Sequence, residues 1–167
     1  MPSALFIKRS DLINNTALSG NIDTDKFIQF IKIAQDIHVQ NYVGSDLYDK
    51  ISNDIIAGTL SGDYLNLVND YIQPMLIHFA MTEYLPFAAY TIANGSVDKK
   101  GAENSTTVNK DEIDSLIAKE RDYAEYYTQR FIDYMSFNAP SKFPEYYSNN
   151  NEDVTPDKNA LFNGWML

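Results

Sequence analysis

The residues best suited to chemistry are two histidines and one carboxylate that lie within apolar sequence. His38 and His78 are the only histidines of the 167-residue chain, and they fall on different predicted helices beside apolar stripes. A metal centre needs several converging ligands, and two separated histidines without any cysteine do not supply them. Glu83 lies in the apolar stretch 79–85, where a lone buried carboxylate is more often paired structurally than catalytic. The sequence therefore predicts no catalytic residue, no metal site and no cofactor.

Two further patterns match known sites only in part. The acidic segment 23–25 begins like a calcium loop, but its fifth position is Phe27 and the required glycine is missing, so we interpret it as a helix N-terminus. A tyrosine cluster on the last predicted helix would suit base stacking in a nucleic-acid-binding protein. Its helical spacing in an acidic chain favours packing instead; its members are Tyr123, Tyr126, Tyr127 and Tyr134.

Charge and composition argue against several classes of protein, among them proteins that grip nucleic acid. The chain has 23 acidic and 13 basic residues and a net charge of -10, whereas proteins that grip nucleic acid neutralise phosphates with lysine and arginine. It has no cysteine, which excludes disulfides and thiolate metal sites and fits a reducing compartment. No apolar run approaches the length of a membrane span, and the N-terminus lacks the order of a signal peptide. We expect a protein that is neither secreted nor bound to a membrane.

Helical apolar spacing dominates the body of the chain. It predicts helices over 23–42, 45–57, 62–90 and 110–137, with glycines at 44 and 58 as stop signals. The third helix is apolar nearly all round in its second half, so it should be central to the core, and Pro74 and Pro86 should kink or divide it. The predicted fold is an all-α small bundle of four main helices, with a helical domain over 23–137.

A long polar loop separates the two longest predicted helices at 94–109. Loops of this length inside a compact domain are usually functional or disordered. The β-branched residues at 91–92 and 106–108 suggest a small hairpin. We expect the loop to project from the bundle and contact another subunit or a portal protein, with Asp98, Lys99 and Lys100 in that interface.

The sequence predicts an extended arm with apolar residues at each end of the chain. The N-terminal arm, 1–22, has an apolar run at Leu5, Phe6 and Ile7, with one helical turn predicted after Ser10. The C-terminal tail, 138–167, is rich in proline and asparagine up to about residue 151. Its last apolar residues are predicted to anchor the protein; they are Leu161, Phe162, Trp165, Met166 and Leu167. Three alternatives stay open for them: docking on a neighbouring subunit or partner, folding back on the same domain, and disorder.

Several segments together resemble a known family. They are the Lys26–Ile31 run, the Ala34–Asp36 segment, the helix around Ile72–Met75, and the junction that contains Val43, Gly44, Asp46, Leu47 and Tyr48. This pattern is similar to that of the small helical head–tail connector proteins (adaptor or ring proteins) of tailed bacteriophages, and most of all to those of crAss-like phages. The similarity covers about residues 5–137, and the junction is carried over only as a packing motif.

The resemblance implies a structural virion protein. It would form a homo-oligomeric ring, twelve-fold in the family, that docks beneath the portal and joins it to the tail or to a neighbouring ring protein. DNA would pass through the lumen without specific binding. The protein would be assembled in the host cytoplasm and reside in the neck of the virion.

Two other classes remain open from the residues alone. One is a soluble helical adaptor that binds a single protein partner through the tail with Trp165. The other is an enzyme that uses Glu83 or a tyrosine, which the sequence supports least. The mass of the protein in solution and the identity of neighbouring genes distinguish a connector from an adaptor.

Overall fold

A computed structural model describes residues 4–16, 24–88, 90–93, 96–99, 110–150 and 153–160. It confirms the all-α class, with one short hairpin added to the helices. The elements in chain order are α1 (Arg9–Asn15), α2 (Thr24–Ala34), a π-helical turn (Gln35–Val39), α3 (Gln40–Val43), α4 (Ser45–Ala57), α5 (Gly62–Leu67), a second π-helical turn (Val68–Ile72), α6 (Gln73–Ala88), β1 (Tyr90–Ala93), β2 (Ser96–Lys99), α7 (Lys110–Lys142) and α8 (Pro144–Ser148).

The first two predicted helices are confirmed. The helix predicted over 23–42 is α2, the first π turn and α3 in one continuous run that ends at Val43. Gly44 then turns the chain with φ +77°, and α4 begins at the next residue. Gly58 ends α4 in the left-handed conformation, and its N–H donates to the Ile55 carbonyl at 3.2 Å.

The third predicted helix, 62–90, is one helical run from Gly62 to Ala88, with a second π turn just before its first proline, and neither Pro74 nor Pro86 divides it. The second π turn ends at Ile72, just before Gln73 and Pro74. Proline has no N–H for the carbonyl four residues earlier and crowds it, and that carbonyl belongs to Asp70 inside the wider turn. Helix α6 likewise runs through Pro86 and ends at Ala88.

The core is built around α6, whose Met75, Leu76 and Ala80 are fully enclosed. Helix α7 runs antiparallel to α6, since Tyr71 stacks on Tyr134 at 4.2 Å and His78 stacks on Tyr127 at 5.4 Å. On another side α2 also runs antiparallel to α6. His38 stacks on Phe79 at 4.3 Å, and Phe30 lies 5.5 Å from Phe87.

The hairpin departs from the predicted pairing. β1 pairs antiparallel with β2, so Ile92 lies opposite Val97 and Thr91 opposite Asp98. β2 is close in sequence to β1, so this pairing costs little loop-closure entropy, while the predicted partner segment 106–108 lies outside the described residues. Lys99 lies opposite Tyr90, while Lys100 and the rest of the predicted loop to 109 lie outside the described residues.

The predicted start of the C-terminal tail at 138 is also wrong. Helix α7 continues to Lys142 through Pro140, and α8 follows. Apolar side chains explain the continuation, because Ala139, Phe143 and Tyr146 are buried. Tyr64 also ties α8 to α5, since its hydroxyl donates to Glu145 Oε2 at 2.7 Å.

The described part of the N-terminal arm, residues 4–16, lies on the body. Phe6 and Ile7 are each 2 % exposed, and Leu5 is half-buried against the core. The predicted interface role of these residues is corrected: their burial is intramolecular. The helical turn predicted after Ser10 is α1, which begins at Arg9. Within the described ranges, no helix has both the length and the apolarity needed to cross a membrane.

Candidate functional site

The junction, residues 43–48 between α3 and α4, is where the two ends of the chain meet the bundle. Val43, Leu47 and Tyr48 are buried, as a packing motif requires. Gly44 has no room for a side chain, because a Cβ there would lie 2.5 Å from Pro156 Cγ and 2.7 Å from Pro156 Cδ. The glycine therefore serves the turn and the close approach of the C-terminal chain together.

The C-terminal strap, residues 153–160, is hydrogen-bonded to this junction. The Ser45 N–H donates to the Val154 carbonyl at 3.0 Å, and the Val154 N–H donates back to Ser45 Oγ at 3.1 Å. Ser45 Oγ donates to Asp153 Oδ2 at 2.8 Å. Further along, the Asp157 N–H donates to the Asn41 carbonyl at 2.7 Å, which satisfies an acceptor at the end of α3. The strap completes the C-terminus of one helix and the N-terminus of the next.

Gln35 holds the N-terminal arm from the other direction. Its Oε1 accepts from the Phe6 N–H at 2.9 Å, and its Nε2 donates to the Ala4 carbonyl at 2.7 Å and to the Tyr48 hydroxyl at 2.8 Å. The Tyr48 hydroxyl in turn donates to Asp36 Oδ1 at 3.0 Å. Gln35 is 1 % exposed, so this buried amide connects the arm, the π turn and α4 in one network.

Burial around the junction changes the acidity of three tyrosines. It raises the pKa of Tyr42 to about 12, and the charges of Asp157 and Glu125 add to the effect. It also raises the pKa of Tyr146 to about 12, again with a contribution from Asp157. For Tyr48 burial raises the pKa to about 12, although the hydrogen bond from Gln35 opposes the rise. These phenols stay neutral and hold the packing at ordinary pH.

Both histidines lie beside carboxylates, and one of these carboxylates is Glu83, for which a structural partner was expected. His38 Nε2 lies 2.8 Å from Glu83 Oε1, which links the first π turn to α6. His78 Nδ1 lies 2.7 Å from Glu120 Oε2, which links α6 to α7. Each pair bridges neighbouring helices at the edge of the core.

A second surface lies along the side of α7 that is turned away from the core. We define the outer face of α7 as Leu116, Tyr123, Tyr126 and Phe137, which are 51 %, 42 %, 61 % and 86 % exposed. Their spacings of 7, 3 and 11 residues place them on one side of the helix. Lys119 adds a cation above the Tyr123 ring at 5.0 Å. Exposed aromatic residues in a row are typical of protein–protein contact surfaces.

The structure joins the predicted motif to residues that sequence reasoning missed. Asn149 and Pro156 lie against Gly44, Asn41 binds the strap at Asp157, and none of the three stands out in the sequence. The buried position of Gln35 could have been inferred from the sequence. It falls four residues after the apolar Ile31, so the helical spacing places this polar residue on the buried face. The predicted anchor residues 161–167 lie outside the described part of the chain.

Comparison with known proteins places the chain in one protein family. No curated protein and no solved structure matches the chain. The DUF6712 family model, described as a family of unknown function, matches residues 39–156. This range begins at the end of the first π turn, includes the junction and α8, and ends at the proline that packs on Gly44. Because the match covers well over half of the sequence, the chain belongs to the DUF6712 family.

Proposed function

We propose that this protein is a structural subunit of a phage virion: a head–tail connector that forms a ring between portal and tail around the DNA passage. The observation that carries the proposal is the outer face of α7. Phe137 and Tyr126 are exposed on the side opposite the residues that α7 buries, such as Phe131 and Met135. Such a face stabilises a contact when a neighbouring subunit covers it.

The outer face of α7 can serve a ring if it packs against a different region of the next copy. A contact between this face and another region of the next copy is heterologous, and heterologous contacts generate closed rings when the rotation closes. The resemblance of the junction to that of phage connector proteins supports a neck ring among the possible rings.

The charge of the chain fits a passage for DNA. A net charge of -10 favours repulsion of phosphates within about one Debye length, roughly 8 Å at physiological salt. DNA would move past such a surface without adhering to it. This supports a lumen that transmits DNA and opposes one that binds it.

The test combines mass in solution with the composition of particles. We expect the purified chain to form rings alone or with the portal protein encoded beside it, as measured by sedimentation and electron microscopy. The double substitution Tyr126→Ser and Phe137→Ser should weaken this assembly while leaving the helical content unchanged.

Ile56→Ser is the matched control, because Ile56 is 55 % exposed but lies on α4. The proposal fails if the chain stays monomeric with the portal protein and is absent from purified virions. The genes beside its own should encode portal and capsid proteins.

The alternative is a soluble adaptor that binds one protein partner through the tail with Trp165. The apolar residues Leu161, Phe162 and Met166 favour it, because they form a compact binding segment around the tryptophan. An adaptor would form a one-to-one complex that is lost on truncation after Ala160 and is insensitive to changes on the outer face of α7.

A further inference from the structure

The C-terminal strap has a direction relative to the helix on which it lies. Val154 contacts Ser45, Pro156 contacts Gly44, and Asp157 contacts Asn41. The strap therefore runs antiparallel to α3, from its end back towards α2. Ala160, the last residue described, is 6 % exposed, so the chain is still against the body there.

An uncovered apolar stripe lies ahead in that direction. Ile37 and Ile33 precede Asn41 by four and eight residues, and they are 53 % and 38 % exposed. A π turn contains more residues per turn than an α-helix. The turn at 35–39 therefore keeps Ile33, Ile37 and Asn41, which are spaced four residues apart, on one side of the helix. One turn beyond Ile33, Phe30 contacts Phe87, which is 57 % exposed. We call Ile37, Ile33 and Phe87 the isoleucine stripe.

The distances match the chain that follows. At about 1.5 Å per residue, Ile33 lies about 12 Å along the helix from Asn41, and Phe30 about 17 Å. Asp157 lies opposite Asn41, and an extended chain advances about 3.3 Å per residue, so residue 161 can reach about 13 Å and residue 167 about 33 Å beyond Asn41. Five of the seven residues after Ala160 are large apolar residues.

We propose that Leu161–Leu167 dock on the isoleucine stripe of the same chain. Leu161 or Phe162 would lie at the level of Ile33, and the tryptophan further on, near Phe87. The short tether favours this arrangement over docking on a neighbouring copy, because it gives the tail an effective concentration in the millimolar range. The proposal is independent of ring formation.

Because the chain has no cysteine, engineered cysteine pairs give an unambiguous test. We expect Ile33→Cys with Phe162→Cys to form a disulfide under mild oxidation, with a product of monomer mass at every protein concentration. The control pair is Ile56→Cys with Phe162→Cys. Ile56 is more exposed to solvent than Ile33 but lies on α4, so this pair should remain reduced.

Two results would overturn the proposal. Products of dimer mass or larger would place the tail on another copy, and no preference for Ile33 over Ile56 would remove the stripe as its site. A second readout uses Trp165, the only tryptophan. Ile33→Asp with Ile37→Asp should shift its fluorescence to the red, and Ile56→Asp should not; equal spectra would also contradict the proposal.

Discussion

At the scale of single residues, Gly44 joins the junction between α3 and α4 to the C-terminal strap. Its positive φ costs an L-residue strain, and its missing side chain makes room for Pro156. The sequence marks the position as a helix stop. It does not reveal that the space above it is filled by a residue more than a hundred positions later.

Gly44→Ala should destabilise the fold by about 2–4 kcal/mol, because Gly44 has φ +77° and ψ 156°, a backbone region that costs another residue about 1–3 kcal/mol, and the added Cβ also displaces the strap. Gly58→Ala is the comparison: Gly58 lies in the left-handed helical region, which costs an L-residue about 1–2 kcal/mol, and nothing lies within 4 Å of an added Cβ. It should cost only the strain. Urea unfolding of both variants measures the difference, and equal losses would mean that Pro156 moves aside at no cost.

Alkaline pH should destabilise the protein through its buried tyrosines. The pKa of Tyr42 and that of Tyr146 are each raised from 10.0 to about 12. The unfolded chain therefore loses these protons first, and the stabilisation, complete below pH 10, is lost as pH rises to about 12.

Thermal unfolding at a series of pH values should show this fall, and Tyr42→Phe should reduce its slope. Tyr126→Phe, at a residue 61 % exposed, should leave the slope unchanged. A midpoint that is flat between pH 10 and pH 12 would contradict the assignment.

At the scale of elements, the sequence predicted the helix bounds that depend on residues close together in the chain. The bounds of α4 followed from apolar spacing and glycine stops, whereas the prolines at 74 and 86 do not divide the third helix as predicted. The C-terminal segment was misjudged because its composition reads as a loop, whereas Ala139, Phe143 and Tyr146 are buried by long-range contacts. The pairing of strap and junction likewise depends on partners far apart in sequence.

Truncation after Glu152 should lower the melting temperature, because it removes the strap and leaves the Ser45 N–H and the Asn41 carbonyl without their strap partners. Each such loss costs about 1–3 kcal/mol where the group stays buried. Truncation after Ala160 keeps the strap and should cost less. Calorimetry of both forms decides; equal melting temperatures would show that the strap contributes nothing measurable.

At the scale of the whole molecule, charge and apolar contact oppose one another. In the proposed ring, copies that each carry a net charge of -10 would repel one another, while the outer face of α7 would favour association. The charge follows directly from composition, but the exposure of Phe137 depends on how α7 packs, which the apolar pattern alone does not fix.

Salt should therefore promote assembly. Raising the ionic strength from about 0.1 M to 1 M shortens the Debye length from about 10 Å to about 3 Å, which weakens the repulsion and leaves the apolar contact intact. Sedimentation velocity across this range should show a growing fraction of oligomer. Tyr126→Ser with Phe137→Ser should abolish that growth, whereas Ile56→Ser should preserve it. If added salt instead dissociates the oligomer, ion pairs between subunits hold it together, and the outer face of α7 is not the main contact.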